Sequence, residues 1–537
     1  MEKRVIIAIA LSLLILLGFQ LLSPKRQMQR QSQAVPQTVM PGGQDTLAAQ
    51  TGKAPTMPDA GPRGEEPLRE TLTEVQTEQY SLIFSDMGGS LKTVALKEYQ
   101  EQGKEEILVD NASPPMRLFA MQSELFPGLE RKRFEPTKKD NSLEYRMTDP
   151  GWVEITKRYT FHKSFNYITL EVFIKNLSSR SFTFSYQITG PADLKQASYV
   201  AGRSFLQANA LIDDKVWKIK AAKGMQARAG NITWVALKNR YFAMVLKPLA
   251  LPVAVIIKDT PGKNLLTALD SRQIGIAPGE TIEDQYLLYA GPLDEKKLSA
   301  IGPEMGRVVD YGFFGGVSKA LLAVLRFFHR GTKNWGLAII FLTILINIVL
   351  FPLTLKSFSS MHQMKQIQPH IQKLKELHKD NPQKLNKEMM ALYKTYNVNP
   401  LGGCLPMLLQ MPIFISLYQG LMGSIELKGS AFLWIKDLSK PDAVTIPFSL
   451  PVIGAHINIL PLLMVGMMVL QQKFSQGPAG SMTDEQAGQQ KMMMLMMPIF
   501  FGFLFYNMPS GLVLYWLTNT ILMTVEQGMI SKRMNRD

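Results

Sequence analysis

The stretch "LAIIFLTILINIVLFPLT", residues 337–354, decides the fold class, because it is apolar and long enough to cross a bilayer. As an α-helix, roughly 18 residues cover about 27 Å, close to the hydrocarbon thickness of a membrane. Asn347 nevertheless lies near the centre of this stretch, with Thr343 one helical turn before it. An amide in hydrocarbon costs free energy unless a partner hydrogen-bonds it. The sequence therefore predicts either a bond to a neighbouring helix or a wet cavity around Asn347.

The chain has 537 residues, of which 46% are hydrophobic, and the apolar residues are unevenly distributed. Long apolar blocks occur at the N-terminus and after about residue 335, whereas the region between them has the composition of a soluble domain. This length exceeds that of one ordinary domain. We therefore expect at least two units, one embedded in a membrane and one in water.

The N-terminal segment "MEKRVIIAIALSLLILLGFQLL", residues 1–22, joins a basic start to an apolar run. A cleaved signal peptide is the competing interpretation, but the run is long for one and no A-x-A pattern follows it. We predict a transmembrane anchor with its N-terminus in the cytoplasm, since basic residues stay on that side. Residues 23–70 are rich in Gln, Pro, Gly and Thr, which predicts a flexible exported linker.

Residues 71–305 show the alternation expected of an all-β domain. Apolar side chains recur at every second position in two neighbouring runs, first at Ile168, Leu170, Val172 and Ile174, then at Phe182, Phe184, Tyr186 and Ile188. With "NLSSR" between them, the two runs predict an antiparallel hairpin. The turn signals "DPG" at 149–151 and "GG" at 88–89 favour the same class. We predict a single exported β-sandwich.

Residues 306–334 contain a pattern typical of an amphipathic helix. Its apolar stripe has helical spacing and comprises Phe314, Val317, Leu321, Leu325 and Phe328. Basic residues lie away from the stripe, which suits a helix in the membrane interface. A core helix of the β-domain is the alternative.

Residues 335–537 carry five further apolar segments, which together with the anchor predict six transmembrane helices. They lie at 336–355, 405–422, about 457–471, 492–506 and 512–529. Residues 356–399 hold eight lysines and two apolar stripes around "NP", which predicts a helical hairpin, with a solvated charged loop as the alternative. A chain that starts in the cytoplasm and crosses the membrane six times has this hairpin and both termini in the cytoplasm, which agrees with the positive-inside rule.

Polar residues recur inside the predicted spans, whereas the motifs of enzymes are absent. The polar set is Thr343, Asn347, Gln410, Ser416, Gln419, Thr518, Asn519 and Thr524. These side chains could join helices to each other or line a wet cavity. The chain has no P-loop, H-E-x-x-H or G-x-S-x-G motif, and Cys404 is its only cysteine.

Residues His362, His370 and His378 recur every eight positions, which is out of phase on a helix, so they cannot share a metal. We therefore expect no enzyme activity, no cofactor and no metal site. The net charge of +15 could indicate nucleic acid, but many basic residues flank apolar blocks, where they set membrane orientation. We expect no specific nucleic-acid readout.

Three long motifs resemble the YidC/Oxa1/Alb3 family of membrane protein insertases, and the exported β-domain after one anchor resembles the YidC form of Gram-negative bacteria. They are "NWGLAIIFLTILINIVLFPLT", "EMMALYKTYNVNPLGGCLPMLLQMPIF" and "MPSGLVLYW", and the likeness runs from about residue 335 to residue 527. The resemblance implies a membrane α-helical bundle with a five-helix insertase core and a periplasmic β-supersandwich. It also implies an insertase and chaperone of the bacterial inner membrane that works through a hydrophilic groove without ATP hydrolysis. The implied partners are nascent membrane proteins, the lipid bilayer, the Sec translocon with its accessory subunits, and ribosome or targeting factors at the cytoplasmic loops.

The resemblance implies a site as well. The groove would be lined by Asn347, Thr343, Gln410, Tyr515, Trp516, Thr518 and Asn519, and an apolar slide for the substrate by Met411, Phe414, Met496, Phe500 and Phe503. The family commonly carries arginine at the position of Asn347, so this chain keeps the polarity of that position without its charge. A solute transporter or channel is the main alternative function, although the spans lack paired acidic residues. An envelope enzyme that acts on glycans is a third.

Overall fold

The computed structural model describes residues 70–534, apart from 102, 163–166, 196–204, 221–223, 251, 261–263, 379–380, 397, 399–404, 451–453 and 476–495. The predicted anchor at 1–22, nearly all of the predicted linker at 23–70, and Cys404 lie outside the described residues. The described part consists of a β-rich half followed by a helical half.

The strands of the first half alternate buried and half-buried side chains, as strands of packed antiparallel sheets do. In chain order they are β1 (Leu72–Gln76), β2 (Tyr80–Ser85), β3 (Ser90–Glu101), β4 (Lys104–Asp110), β5 (Met121–Gln122), β6 (Glu135–Lys139), β7 (Ser142–Asp149), β8 (Val153–Phe161), β9 (Tyr167–Asn176), β10 (Phe182–Phe184), β11 (Gln187–Ala192), β12 (Gln207–Ile212), β13 (Lys215–Ile219), β14 (Gln226–Ala229), β15 (Ile232–Lys238), β16 (Phe242–Pro248), β17 (Ala254–Thr260), β18 (Asn264–Asp270), β19 (Ile274–Ile276) and β20 (Thr281–Pro292).

Two large sheets form the sandwich. A nine-stranded sheet has the order β13-β12-β15-β16-β20-β9-β8-β7-β6, and a five-stranded sheet has the order β14-β17-β18-β11-β5. Val172 of the first sheet and Ile188 of the second belong to one buried apolar cluster. Strands β1 to β4 form a further sheet, whose Leu82 joins the same cluster. The predicted β-sandwich is confirmed.

The predicted hairpin between residues 168–174 and 182–188 is wrong. Strand β9 pairs with β8 and β20, whereas β10 pairs with β19, and β11 pairs with β18 and β5. The alternation correctly gave the buried face of β9, but period two identifies a face and not a partner. The Asn176 amide holds the chain where it leaves β9, because its Nδ2 donates to the carbonyls of Arg180 (2.8 Å) and Ile276 (3.2 Å). The chain therefore leaves the nine-stranded sheet at this point.

The second half is mainly helical. Its elements are α1 (Glu295–Ile301), a 3₁₀ turn (Pro303–Val308), α2 (Gly315–Thr332), α3 (Trp335–Leu377), α4 (Pro382–Thr395), α5 (Leu405–Gly423), a 3₁₀ turn (Ile425–Leu427), the strand pair β21 (Val444–Leu450) and β22 (Gly454–Ile457), α6 (Ile459–Ser475), α7 (Met496–Tyr506) and α8 (Ser510–Met534).

Helix α3 joins the opening stretch to the first arm of the predicted hairpin without a break. It begins behind Asn334, whose side chain accepts a hydrogen bond from the Leu337 N–H, and it continues through two prolines. Helix α4 returns alongside, so that the ring of Tyr396 lies 5.5 Å from that of His370. The Lys-rich segment is therefore a helical hairpin rather than an unstructured loop.

Helices α3 and α8 run parallel and close together. Gly511 packs against Ile339 near their N-termini, and Asn347 bonds to Asn519 about two turns further along both helices. Helix α2 packs on α3 and α5, and its Leu322 and Leu325 are buried in the apolar cluster of the helical half. Helix α2 is therefore not a core helix of the β-domain.

Within the part of the chain that the structure describes, one helix segment, Trp335–Met364, is long and apolar enough to cross a membrane. Ile459–Gln472 and Met496–Tyr506 form shorter apolar helices. The count of six transmembrane helices remains a prediction.

Candidate functional site

Asn347 has the partner that its position in an apolar helix requires. Its side chain is only 8% exposed, and its Nδ2 donates to the Thr343 carbonyl (2.8 Å) and to Asn519 Oδ1 (2.9 Å). Asn519 lies on α8 and is equally buried, so one amide–amide bond joins the two longest helices. This pair answers the question that the sequence raised, since a bond across helices removes most of the cost of a buried amide.

A second polar bond lies one turn before the first on α8. Gln410 of α5 donates through Nε2 to the hydroxyl of Tyr515, at 2.5 Å, and Tyr515 is fully buried. Residues 515 and 519 share one face of α8, because they are four positions apart. We call the four residues Asn347, Asn519, Gln410 and Tyr515 the polar seam, which connects α3, α8 and α5.

Other residues of the predicted groove lie beside the seam rather than in it. Thr343 is fully buried, but its hydroxyl donates to the Ile339 carbonyl of its own helix (2.7 Å). Trp516 packs among aromatic rings, with Phe414 at 4.9 Å and Phe501 at 5.5 Å. Thr518 is half-buried, and the structure does not bring it into the polar seam. The structure therefore brings four of the seven predicted groove residues together and leaves three beside them, and their role in a groove remains a prediction.

The five predicted slide residues separate into two groups. Met411, Met496 and Phe503 are exposed, Phe503 by 69%, on α5 and α7. Phe500 is half-buried beside Phe501, and Phe414 points into the bundle, where it contacts Trp516 and Phe505. The structure thus gives an exposed apolar surface through three of the five side chains.

The remaining members of the predicted polar set lie outside the seam. Ser416 is buried and bonds to the Pro412 carbonyl of its own helix (2.6 Å), and Gln419 packs against Gly312 ahead of α2. Thr524 likewise bonds to its own helix, through the Thr520 carbonyl (2.6 Å).

Sequence reasoning missed several buried polar residues of α3 and α8. Thr354 and Ser357 of α3 and Thr520 and Gln527 of α8 are each less than a tenth exposed. A signal was present, because positions 343, 347, 354 and 357 keep the spacing of one helical face. Counting polar residues along that face, beyond the apolar stretch itself, would have found them.

The polar seam carries no formal charge, and two hydrogen bonds join its four residues across helices. Among the described residues, no group of three or more histidine, cysteine or acidic side chains could hold a metal ion. An arrangement of amides and one phenol can exchange hydrogen bonds with a polar chain that enters it. It offers no pair of groups suited to acid–base chemistry.

Comparison of the sequence with known proteins assigns the chain to a family. The family model described as "YidC periplasmic domain" matches residues 72–324, and the model described as "60Kd inner membrane protein" matches residues 327–537. The membrane protein insertase YidC of Geotalea daltonii is 33% identical over 555 residues, which cover 99% of each chain. The chain belongs to the YidC family. The YidC insertase of Geobacter sulfurreducens is also 33% identical, over 99% of this chain and 98% of that one.

The resemblance of the three motifs to the YidC family is therefore confirmed over the full length of the chain, including the large β-domain. The match to a solved structure of an active YidC insertase covers 86% of this chain and 94% of the insertase chain, with 19% identity and a TM-score of 0.35. The names of the two matching families describe an inner-membrane protein with a periplasmic domain.

Proposed function

We propose that this chain inserts nascent membrane proteins into the bacterial inner membrane; its curated YidC relatives are named membrane protein insertases. The observation that supports this role best is the polar seam, which joins three helices of an otherwise apolar bundle through the Asn347–Asn519 and Gln410–Tyr515 bonds. A seam of this kind provides alternative partners for the polar part of a chain that must cross hydrocarbon.

The energetic problem of insertion is the desolvation of polar backbone and side chains. Each unpaired polar group in hydrocarbon costs several kcal/mol, about what a replacement hydrogen bond restores. A polar segment of the substrate would exchange bonds with Asn347, Asn519, Gln410 and Tyr515, while Thr343, Trp516 and Thr518 line the same region. The groove is thus formed when the seam opens around the substrate.

The apolar segment of the substrate supplies the driving force. Burial of apolar surface releases about 25 cal/mol per Å², so a single hydrophobic helix leaves the seam for lipid without ATP. The exposed side chains of Met411, Met496 and Phe503 provide a surface along which that helix moves, with Phe414 and Phe500 behind them. Two of these exposed residues are methionines, whose flexible thioethers fit many different apolar sequences.

The neutral seam favours recognition by hydrogen bonding. Asn347 donates and accepts, so it serves a polar segment of either charge, whereas an arginine at this position would attract acidic segments. The transporter or channel and the glycan enzyme have no comparable observation in their favour.

The cytoplasmic hairpin of α3 and α4 and the other partners complete the proposal. Lysines at 373, 375, 384 and 387 fit a surface that meets ribosomes or targeting factors on the cytoplasmic side. The apolar segments support the proposal of six transmembrane helices. The distribution of basic residues supports the proposal that both termini are cytoplasmic and the β-domain periplasmic. Work beside the Sec translocon and its accessory subunits belongs to the same proposal.

Replacement of Asn347 by leucine tests the function. Cells depleted of the native protein would express Asn347→Leu, and insertion of a single-span substrate would be measured by protease protection. Insertion should fall, because the seam loses its amide, while Ile348→Leu, a change at the exposed neighbouring position, should insert normally. Unchanged insertion in Asn347→Leu, or a depletion defect confined to solute uptake or glycan composition, contradicts the proposal.

A further inference from the structure

Arg240 of the β-domain is buried against the helical half of the chain. It lies between β15 and β16, and only 3% of it is exposed. Its Nε donates to the Met422 carbonyl (2.8 Å), and its Nη2 donates to the Ser439 carbonyl (2.9 Å). Met422 belongs to the last turn of α5, so one guanidinium connects the β-domain to the end of a helix and to the loop that follows it.

This contact has the chemistry of a helix C-cap supplied by another part of the chain. The last carbonyls of a helix lack partners within the helix, and the negative end of its dipole favours a cation. The planar guanidinium can hold two carbonyls in a fixed relation, which an ammonium group cannot do as rigidly. Tyr241 lies under the guanidinium at 4.7 Å, and Phe205 at 5.7 Å, so aromatic faces stabilise the charge within the interface.

A second buried cation fixes the same region. Lys428 follows α5 by a single 3₁₀ turn, and its Nζ lies 2.5 Å from Glu106 Oε2 on β4. Both side chains are largely buried, and the ammonium group lies over the ring of Phe242 at 5.2 Å. The end of α5 and the loop after it are therefore held to the β-domain at three points, namely Met422, Lys428 and Ser439.

Helix α5 carries Gln410 of the polar seam and Met411 and Phe414 of the slide. We propose that Arg240 is a positioning residue for insertion, which holds the far end of α5 so that its seam and slide residues keep their place against α8 and α7. This inference rests on the proposed function. About 18 Å of helix separates Met422 from Gln410, so a change of direction at the end of α5 displaces the Gln410 amide from Tyr515.

The test combines insertion with a measure of where α5 lies. A photoreactive residue replaces Met411 on α5 in one set of variants and Phe503 on α7 in another, and its cross-linking to a stalled single-span substrate is quantified in membranes. In Arg240→Gln the ratio of the 411 to the 503 cross-link should fall about fivefold, the factor that corresponds to the roughly 1 kcal/mol of a helix C-cap cation. Arg240→Lys, which keeps the charge, should give an intermediate ratio.

Arg272→Gln is the matched control, because Arg272 is an exposed arginine of the same domain, and its ratio should equal that of the native chain. An equal fall of both cross-links in Arg240→Gln indicates a general structural defect and overturns the inference, as does an unchanged ratio. If Arg240→Gln does not accumulate in membranes, Arg240→Lys decides, and a native ratio in that variant overturns the inference.

The outcome also separates this inference from the proposed function. Normal insertion in Asn347→Leu counts against the proposed function, whatever the cross-link ratio of Arg240→Gln. Loss of insertion in Asn347→Leu, together with a native cross-link ratio in Arg240→Gln, counts against the role of Arg240 alone.

Discussion

The hydrogen bond between Asn347 and Asn519 can be removed from either side, and each single substitution leaves a different group behind. In Asn347→Leu, Asn519 Oδ1 loses its donor, although Asn519 Nδ2 keeps a contact with Met523 Sδ at 3.6 Å. The Thr343 carbonyl also accepts from the Asn347 amide, but it retains the backbone N–H of residue 347 within α3. In the double variant Asn347→Leu with Asn519→Leu, no side-chain amide remains unpaired at this contact.

The expected loss of unfolding free energy follows from the two groups that lose their partner. Bonds between helices in membranes contribute about 0.6 kcal/mol on average and about 1.7 kcal/mol at most. An unpaired buried amide adds about 1 kcal/mol, so each single variant should lose about 1 to 2 kcal/mol of unfolding free energy. The double variant should lose less than the sum, with a coupling energy of about 1 kcal/mol.

The assay measures unfolding and insertion on the same four proteins. Denaturant unfolding in detergent, followed by helical circular dichroism, gives the coupling energy, and proteoliposomes with equal amounts of folded protein give the insertion of a single-span substrate. A stability loss of about 1 kcal/mol leaves nearly all of a typical protein folded. A tenfold fall in insertion would therefore reflect loss of the seam's chemistry and not of folded protein.

Two results would refute this reasoning. A coupling energy near zero together with full insertion in both single variants would show that the bond is incidental. Full insertion in the double variant, with defects only in the singles, would show that the seam merely joins helices and that its polarity is dispensable.

Three further predictions concern charge, pH and lipid. Asn347→Arg should accumulate in membranes, because Asn519 offers its amide oxygen to the guanidinium. A second change, Asn519→Asp, should raise the unfolding temperature of that variant by pairing with the guanidinium, and a lower temperature in the double variant refutes this. Burial lowers the pKa of Lys157 in the β-domain from 10.5 to about 7. Between these two values the unfolded chain binds a proton that the folded chain does not, so the unfolding free energy rises with pH. We expect a rise of about 2 kcal/mol between about pH 7.5 and about pH 9.5. The variant Lys157→Met should lose most of that rise in pH-dependent denaturant unfolding, and an unaltered rise contradicts the assignment. Trp434 is 41% exposed in a turn beside the start of α3, so brominated lipids should quench its fluorescence. The variant Trp434→Phe should lose the quenched part of the fluorescence, whereas the control Trp217→Phe in the β-domain should keep it.

Sequence patterns predicted faces well and partners poorly, for a physical reason. The alternation around Ile174 depends only on which side of the strand is buried, so it predicted the buried face. The strand that pairs with β9 depends instead on the turn at Asn176 and on β20, which lies more than a hundred residues away. The polarity of Asn347 was visible in the sequence, but its bond to Asn519 spans 172 positions and follows from the parallel packing of α3 on α8.

The slide and the interface show the same limit. Residues 414 and 503 are both phenylalanine, yet the Phe503 side chain is exposed and the Phe414 side chain packs on Trp516. The direction in which each side chain points depends on how α5 and α7 pack together. Arg240 belongs to no motif, and its role depends on the end of α5 lying against the turn before β16. Contacts between distant segments are properties of the assembled fold that local periodicity does not encode.

The hydrogen bonds within the polar seam bear on the proposal that insertion needs no ATP. A buried charge at position 347 would need a counter-ion or water, whereas the neutral Asn347 amide donates to Asn519 Oδ1 on the neighbouring helix. Opening this contact would cost about as much as one or two hydrogen bonds. In the proposed mechanism, an entering polar segment would replace those bonds one for one, so the exchange would be close to neutral in free energy. The net direction would then be set by the apolar segment, because its transfer to lipid releases many times more free energy than opening the seam costs.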